Sequence, residues 1–156
     1  MKYSTEFIKE LEKQEEELQF TEFDSGTALE LGLKLVEMAK SAGLMITIDI
    51  TRNGHQLFHY AFDGTGPDND QWIIRKMRVV NRFNKSSMYI GATLRNSDRT
   101  MEEAYLISSY DYAAHGGAFP IRIKNVGVVG TIIVSGLPQE QDHELVVKAI
   151  REYLKV

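Results

Sequence analysis

The stretch HGGAFPIRIKNVGVVGTIIVSGLP, residues 115–138, decides the fold. It contains the clearest strand signal in the chain, flanked by glycine and proline residues that break regular structure. It predicts a hairpin whose strands, Phe119–Ile123 and Gly127–Ser135, are joined by a turn at residues 124–126. The second strand is apolar on both faces, which is typical of a central strand. Glycine inside such a strand favours close approach of a backbone or a ligand, so we expect tight packing at Gly127 and Gly130.

A second hairpin is predicted by the alternating sequence MITIDITRNGHQLFHYAF, residues 45–62. Asn53-Gly54 is a preferred pair for a two-residue type I′ turn, and such a turn fixes the register of its strands. That register pairs Arg52 with His55 and Ile48 with His59, and it predicts a partly buried histidine beside Ile48. Both faces of this hairpin are partly apolar, so we expect helices on both sides of the sheet.

Amphipathic segments accompany both hairpins. Apolar spacing and capping residues predict helices near residues 4–20, 27–43, 71–84, 87–94, 100–105 and 139–154. Because the strands come as antiparallel hairpins and not as alternating βα units, the order predicts an α+β domain with a central antiparallel sheet. The first helix has a narrow apolar stripe and a glutamate-rich remainder, including Glu15, which is typical of a solvated face. We interpret residues 1–20 as an amphipathic helical extension and residues 21–156 as one domain.

Composition excludes several function classes. The 156 residues include no cysteine, which rules out disulfides, thiolate metal sites and a cysteine nucleophile. A net charge of −4 argues against a nucleic-acid partner. No run approaches the ~18 apolar residues of a membrane span, and the charged N-terminus does not resemble a signal peptide, so we expect no membrane partner and a cytoplasmic location.

The two hairpins also carry a family resemblance. The segments HGGAFPIRI and VGVVGTIIVSGLPQEQDHELVVKAI resemble the C-terminal signature of the haem-degrading-domain family, the GlcG-like and HbpS-like proteins. The matching positions are Gly116, Gly117, Pro120, Gly127, Gly130, Ile132, Val134, Ser135, Gly136 and Asp142. FDSGTALELGLKLVEMAK and SSMYIG resemble a branch of conserved hypothetical proteins within it. The resemblance implies a profilin-like three-layer α/β/α fold with a five-stranded, mainly antiparallel sheet, assembly into oligomers, and haem binding or degradation in some relatives.

The candidate site brings together the glycine loop, the start of the last helix and the helix at 71–84. Its predicted ligand-binding residues are Arg75, Lys76, Tyr112, His115, Gly116, Gly117 and Asp142. Lys76 lies at the edge of an apolar face and must pair or shift its pKa, with Asp49, Asp111 and Asp142 as partners to choose from. Exposed glycine amides and a helix N-terminus favour an anionic group. The histidines lack zinc-site spacing, so no metal site is assigned, although His115 is the first candidate ligand if haem iron binds.

Three functions stay open at this point. The first is an oligomeric module that binds haem or a small carboxylate. The second is a haem-degrading enzyme that needs an external reductant. The third is a non-catalytic oligomeric scaffold. No recognisable catalytic constellation is present in the sequence, which favours binding over chemistry.

Overall fold

The computed structural model describes residues 2–156, which contain six helices and four strands. In chain order these are α1 (Thr5–Glu17), α2 (Ser25–Ala42), β1 (Thr47–Arg52), β2 (His55–Ala61), α3 (Pro67–Phe83), α4 (Ser87–Asn96), α5 (Met101–Tyr105), β3 (Ala118–Ile123), β4 (Gly127–Ser135) and α6 (Gln139–Leu154). The predicted α+β class is confirmed. Within residues 2–156, every helix is too short or too polar to cross a membrane.

The two predicted hairpins join into one antiparallel sheet with the order β2-β1-β4-β3. The prediction of five strands is wrong, because the sheet has four strands in the described residues. Phe20 occupies the place beside β3 with a single parallel bridge to Ile123. Its N–H donates to Arg122 O at 2.8 Å and its carbonyl accepts from Lys124 N at 2.9 Å.

A β-bulge in the first hairpin changes which side chains share a face. Thr51 pairs with Gln56 but Ile50 pairs with Phe58, so Leu57 is an extra residue on β2. The predicted pairing of Ile48 with His59 is therefore wrong, and His59 lies opposite Asp49. The regular alternation predicted from the turn fails here because a bulge shifts the two-residue period by one.

The two faces of the sheet differ in polarity. Helices α2 and α6 pack on one face, where Ile48, Ile50, Ile132 and Val134 belong to the main hydrophobic core. Helix α3 packs on the other face against a small cluster that includes Ile133. Five polar side chains are also buried in the strands on this α3 face, since they alternate with the core residues: Thr47, Asp49, Thr51, Thr131 and Ser135.

The glycines of β4 have different roles. At Gly130 an added Cβ would collide with the carbonyl oxygen of Thr51 on β1, so the predicted close packing is confirmed there. Gly127 has nothing within 4 Å of an added Cβ, so close packing is wrong for that residue. Its φ of +122° shows that it is needed by the turn before β4.

Helix α1 packs on the rest of the molecule. Leu11 is buried with Met88 and Ala92 of α4. Glu15 is 4% exposed and accepts a hydrogen bond from Ser86 N at 2.6 Å, with Arg122 Nη2 at 3.2 Å. Burial raises the pKa of Glu15 in spite of these partners. The interpretation of Glu15 as part of a solvated face is therefore wrong, whereas the division at residue 20 stays a prediction.

Candidate functional site

Helix α3 carries the centre of the candidate site and begins earlier than predicted. Pro67 occupies the first helical turn, where its missing N–H costs nothing, and Gly66 is the N-cap. The Asn69 side chain accepts a hydrogen bond from Gly66 N at 3.0 Å, which closes the first turn. The helix then presents Trp72, Arg75 and Lys76 on the side that faces residues 113–117.

Two adjacent cavities meet at Trp72 and His115, whose rings pack edge to face at 5.5 Å. The first has a volume of about 290 Å³ and is lined by Arg75, Arg95 and Arg99; we name it the arginine compartment. The second has a volume of about 240 Å³ and is lined by Lys76 and Asp142; we name it the lysine compartment. The shared wall makes them two parts of one site.

Arg95 of α4 is held against the loop that precedes β3. Its Nη1 donates to Ala114 O at 3.1 Å and its Nη2 lies 3.1 Å from His115 Nδ1. A guanidinium group has donors only, so Nδ1 of His115 must be the acceptor. Gly91 makes this approach possible, because an added Cβ would collide with Ala114 O.

The arginine compartment is electropositive. The guanidinium of Arg75 stacks over the Trp72 ring at 4.3 Å, and Arg99 donates to Glu103 O at 3.0 Å. Glu102 is the one acidic side chain on the lining. Its carboxylate accepts from Ser109 N at 2.7 Å and Ser109 Oγ at 2.8 Å, and these bonds lower its pKa. That carboxylate is bound to Ser109 and forms no ion pair with the arginines within 4 Å.

His115 is half-buried between the compartments. Burial, and next the charges of Arg95, Lys76 and Arg75, lower its pKa. The imidazole is therefore neutral at pH 7, with its proton on Nε2 because Nδ1 faces Arg95. A neutral imidazole with a free N–H can donate one hydrogen bond to an anion.

The lysine compartment contains a buried ion pair. Lys76 is 3% exposed and Asp142 is 2% exposed. Lys76 Nζ lies 3.2 Å from Asp142 Oδ2 and donates to Val134 O at 3.1 Å, while Asp142 Oδ1 accepts from Leu137 N at 3.0 Å. Burial lowers the pKa of Lys76 and raises the pKa of Asp142 to about 6. Of the three partners weighed for Lys76, the structure selects Asp142.

Gly116 and Gly117 are buried and allow close packing. Gly116 N donates to Gln139 Oε1 at 3.0 Å, and an added Cβ would collide with the Gln139 carbonyl. Gly117 has a φ of +133°, and its added Cβ would lie 2.7 Å from Lys76 Nζ. The expectation that this loop offers exposed amides is wrong for Gly116, because that N–H already bonds to a side chain.

The structure brings the predicted residues together in two groups. Arg75, Tyr112 and His115 line the arginine compartment, and Lys76, His115 and Asp142 line the lysine compartment. Three contributors were missed: Trp72, Gly91 and Arg95. Trp72 is the only tryptophan in the chain and precedes Arg75 by one helical turn, which was a usable signal. Arg95 reaches His115 only through the packing of α4 on the loop, and no local pattern reports that contact.

Residues 23–151 match the family model described as "Haem degrading protein HbpS-like". The chain belongs to this HbpS-like family. A UPF0303 protein of Streptomyces coelicolor is 47% identical over 147 residues, covering 94% of this chain and 93% of that protein. The crystal structure of Ybr137w protein has a TM-score of 0.88 at 33% identity, covering 95% of this chain and 87% of its own. A PduOC:heme complex shares the fold at a TM-score of 0.63 and 15% identity, covering 79% and 88%.

The family description implies haem, and the residues of this HbpS-like chain do not fit it. The packed rings of Trp72 and His115 divide the site into cavities of about 290 and 240 Å³. His115 Nδ1 accepts from Arg95, so its other nitrogen carries the proton and has no lone pair for iron. In this arrangement His115 is not an iron ligand.

Proposed function

We propose that this protein binds a small anion, a carboxylate or a phosphate, in the arginine compartment. The observation that carries the proposal is the set of three guanidinium groups, from Arg75, Arg95 and Arg99, around one cavity. Arginine binds carboxylate and phosphate oxygens through paired, charge-assisted hydrogen bonds. The volume of about 290 Å³ is large enough for a small carboxylate or a phosphate.

The side chains between the guanidinium groups support the same polarity. His115 offers an N–H, and the polar residues Tyr112 and Thr100 also line the cavity. Trp72 and Leu94 give it apolar walls, so a bound anion is partly removed from water. A charge-assisted hydrogen bond is stronger in such a setting than in bulk solvent.

Calorimetric titration at low ionic strength tests this proposal, with succinate and inorganic phosphate as the probes. Arg95→Met should weaken binding by at least about tenfold, because it removes a fixed, charge-assisted donor. Arg82→Met is the matched control: it makes the same change of charge on α3 at a residue that lines neither compartment. Equal losses in both variants, or no saturable binding of either probe to the wild type, would contradict the proposal.

Haem is tested in the same preparation, because the family description and the PduOC:heme complex point to it. Because Nδ1 of His115 accepts from Arg95 and Nε2 carries the proton, we expect that the absorbance spectrum of added haemin will not depend on this residue. A stoichiometric Soret band that His115→Ala abolishes would overturn the preference for a small anion. Loss of such a band over time with an added reductant would favour the alternative of a haem-degrading enzyme.

Self-association is proposed through α2 and the edge strand β2. Leu29 and Leu33 are 52% and 53% exposed one turn apart on α2, and Gly32 beside them packs on the Phe58 ring of β2. Tyr60 on the same strand is 43% exposed. Exposed apolar side chains next to an open strand edge are typical of an interface. Light scattering should give a mass above 17.7 kDa that falls to this value in Leu33→Glu; a monomeric wild type would contradict it.

A further inference from the structure

A second pair of cavities lies along α3 on the side of the β1–β2 hairpin. Their volumes are about 510 and 320 Å³, and they share Thr51, Gly54 and Met77, so they form one continuous groove. We name it the α3 groove. It exists because α3 lies mainly over β3 and β4 and leaves β2 uncovered on this face. None of the candidate anion-site residues lines it.

The floor of the α3 groove is a buried carboxylate. Asp49 is 2% exposed. It accepts hydrogen bonds from Thr51 Oγ1 at 2.7 Å and from Gln56 Nε2 at 2.6 Å. Among residues 2–156 no lysine or arginine nitrogen lies within 4 Å of it. A buried carboxylate without a permanent counter-charge is costly, so this position favours a cation supplied from elsewhere.

His59 connects this carboxylate to a second one. Its Nδ1 lies 3.2 Å from Asp49 Oδ2 and its Nε2 lies 3.2 Å from Asp70 Oδ1. Within the described residues Asp70 Oδ1 is buried and has no hydrogen-bond partner, so its approach to His59 is not a hydrogen bond. One imidazole carries at most one positive charge against the two carboxylates, and this end of the groove therefore stays negative.

An unpaired hydroxyl in the same groove points independently to a ligand. Thr131 of β4 is 1% exposed and lines the groove beside Thr51. Its Oγ1 has no hydrogen-bond partner among residues 2–156. A buried hydroxyl without a partner is uncommon in a folded protein, and a hydrogen-bonding group in the groove would satisfy it.

The wall opposite the sheet is apolar. Ile73, Ile74 and Met77 of α3 line the groove, and Ile74 is 40% exposed there. Within residues 2–156 no three His, Asp or Glu side chains are arranged to hold a metal ion. The groove thus combines a negative end, an aliphatic wall and a free hydroxyl, and it has no metal-binding set.

From these features we infer that the α3 groove binds a linear aliphatic amine. The ammonium group lies at the Asp49–Asp70 end, where it offers three donors to carboxylate oxygens. The methylene chain packs along Ile74 and Met77. A polar group at the far end of the chain bonds to Thr131 Oγ1.

Two probes of equal length isolate the role of charge: 1,5-diaminopentane and 1,5-pentanediol. Amide shifts in NMR spectra of labelled protein should show saturable binding of the diamine at residues of β1, β2 and α3. The diol, which has the same chain and no charge, should bind at least about tenfold more weakly. Equal affinity for both probes, or diamine shifts outside the groove, would overturn the inference.

Variants then assign the carboxylates. Asp70 is half-exposed, so the Asp70→Asn variant should fold. It should weaken diamine binding by about tenfold or more. Asp49→Asn should do the same if its circular dichroism matches the wild type. Asp111→Asn removes the same charge from an exposed residue outside the groove and should leave affinity unchanged. An unchanged affinity in Asp70→Asn would overturn the inference without affecting the anion site.

Discussion

The two faces of the sheet differ in role: one forms the main hydrophobic core, and the other carries the buried polar groups. On the face covered by α2 and α6, the inward residues of β1 and β4 are isoleucine and valine. On the α3 face the alternate positions include Asp49, Thr51 and Thr131, and both proposed sites lie along α3. Apolar burial stabilises a domain, whereas buried polar groups add stability only when each has its partner. We therefore expect substitutions to act through packing on the first face and through charge and hydrogen bonding on the second.

The largest effect is expected at the buried ion pair. Lys76→Met leaves Asp142 buried without its cation and should lower the free energy of unfolding by about 3–5 kcal/mol at pH 8. The double variant Lys76→Met, Asp142→Asn should recover most of this loss, since no uncompensated charge remains. Burial raises the pKa of Asp142 to about 6, and a raised pKa adds stability that is lost as the pH rises through it. The penalty of the single variant should therefore be smaller at pH 5 than at pH 8.

Urea unfolding measures these differences. If the double variant is no more stable than Lys76→Met, the pair does not act as a unit. The methylene stem of Lys76 and the N-terminal turn of α6 would then explain the loss.

The apolar face should respond to the size of its side chains. Ile132→Ala removes a fully buried side chain of β4 and should cost about 2–5 kcal/mol, with little collapse of the cavity. At temperatures where the variant is folded, its affinity for succinate should equal that of the wild type. A loss of stability of less than about 1 kcal/mol, or a weaker affinity for succinate, would contradict the expectation that this face acts through packing alone.

The sequence predicts more of the first face than of the second. Asn53-Gly54 and the apolar β4 place both hairpins, and the spacing on α3 places Arg75 and Lys76 on the site. The bulge at Leu57 has no local signature in the sequence, so Asp49 and His59 were not brought together. Arg95 and Glu15 were missed for a related reason: each bonds to a segment distant in sequence, and only the packed structure creates the partner.

Acid sensitivity should come from the α6 side. His143 is buried, its Nε2 lies 2.8 Å from Gln14 Oε1, and burial lowers its pKa to about 4. A lowered histidine pKa gives stability that is fully present above pH about 6.5 and is lost as the pH falls through about 4. The full difference is about 3 kcal/mol. His143→Gln, which keeps a donor for Gln14, should remove this loss.

The free energies of unfolding of the wild type and of His143→Gln, plotted against pH, should therefore approach each other as the pH falls from 7 to 4. Asp142 contributes a slope of opposite sign in both proteins, so the difference between the two curves isolates His143. Parallel curves would mean that His143 has the same pKa in the folded and the unfolded chain.

The smallest effect is expected at the unpaired hydroxyl of the α3 face. Thr131→Val replaces the hydroxyl by a methyl group at similar volume, and it should leave stability unchanged or raise it by about 1 kcal/mol. Thermal unfolding without ligand measures this change. A clear loss would show that Thr131 Oγ1 has a partner, such as an ordered water.

Fluorescence of Trp72 tests the central claim most directly, because this residue is the only tryptophan and forms the wall between the two compartments. Titration with succinate should change its emission along a saturable curve in the wild type and in Arg82→Met, and the change should be lost in Arg95→Met. An emission that does not respond to succinate, or one that responds equally in Arg95→Met, would contradict the placement of the anion site on the α3 face.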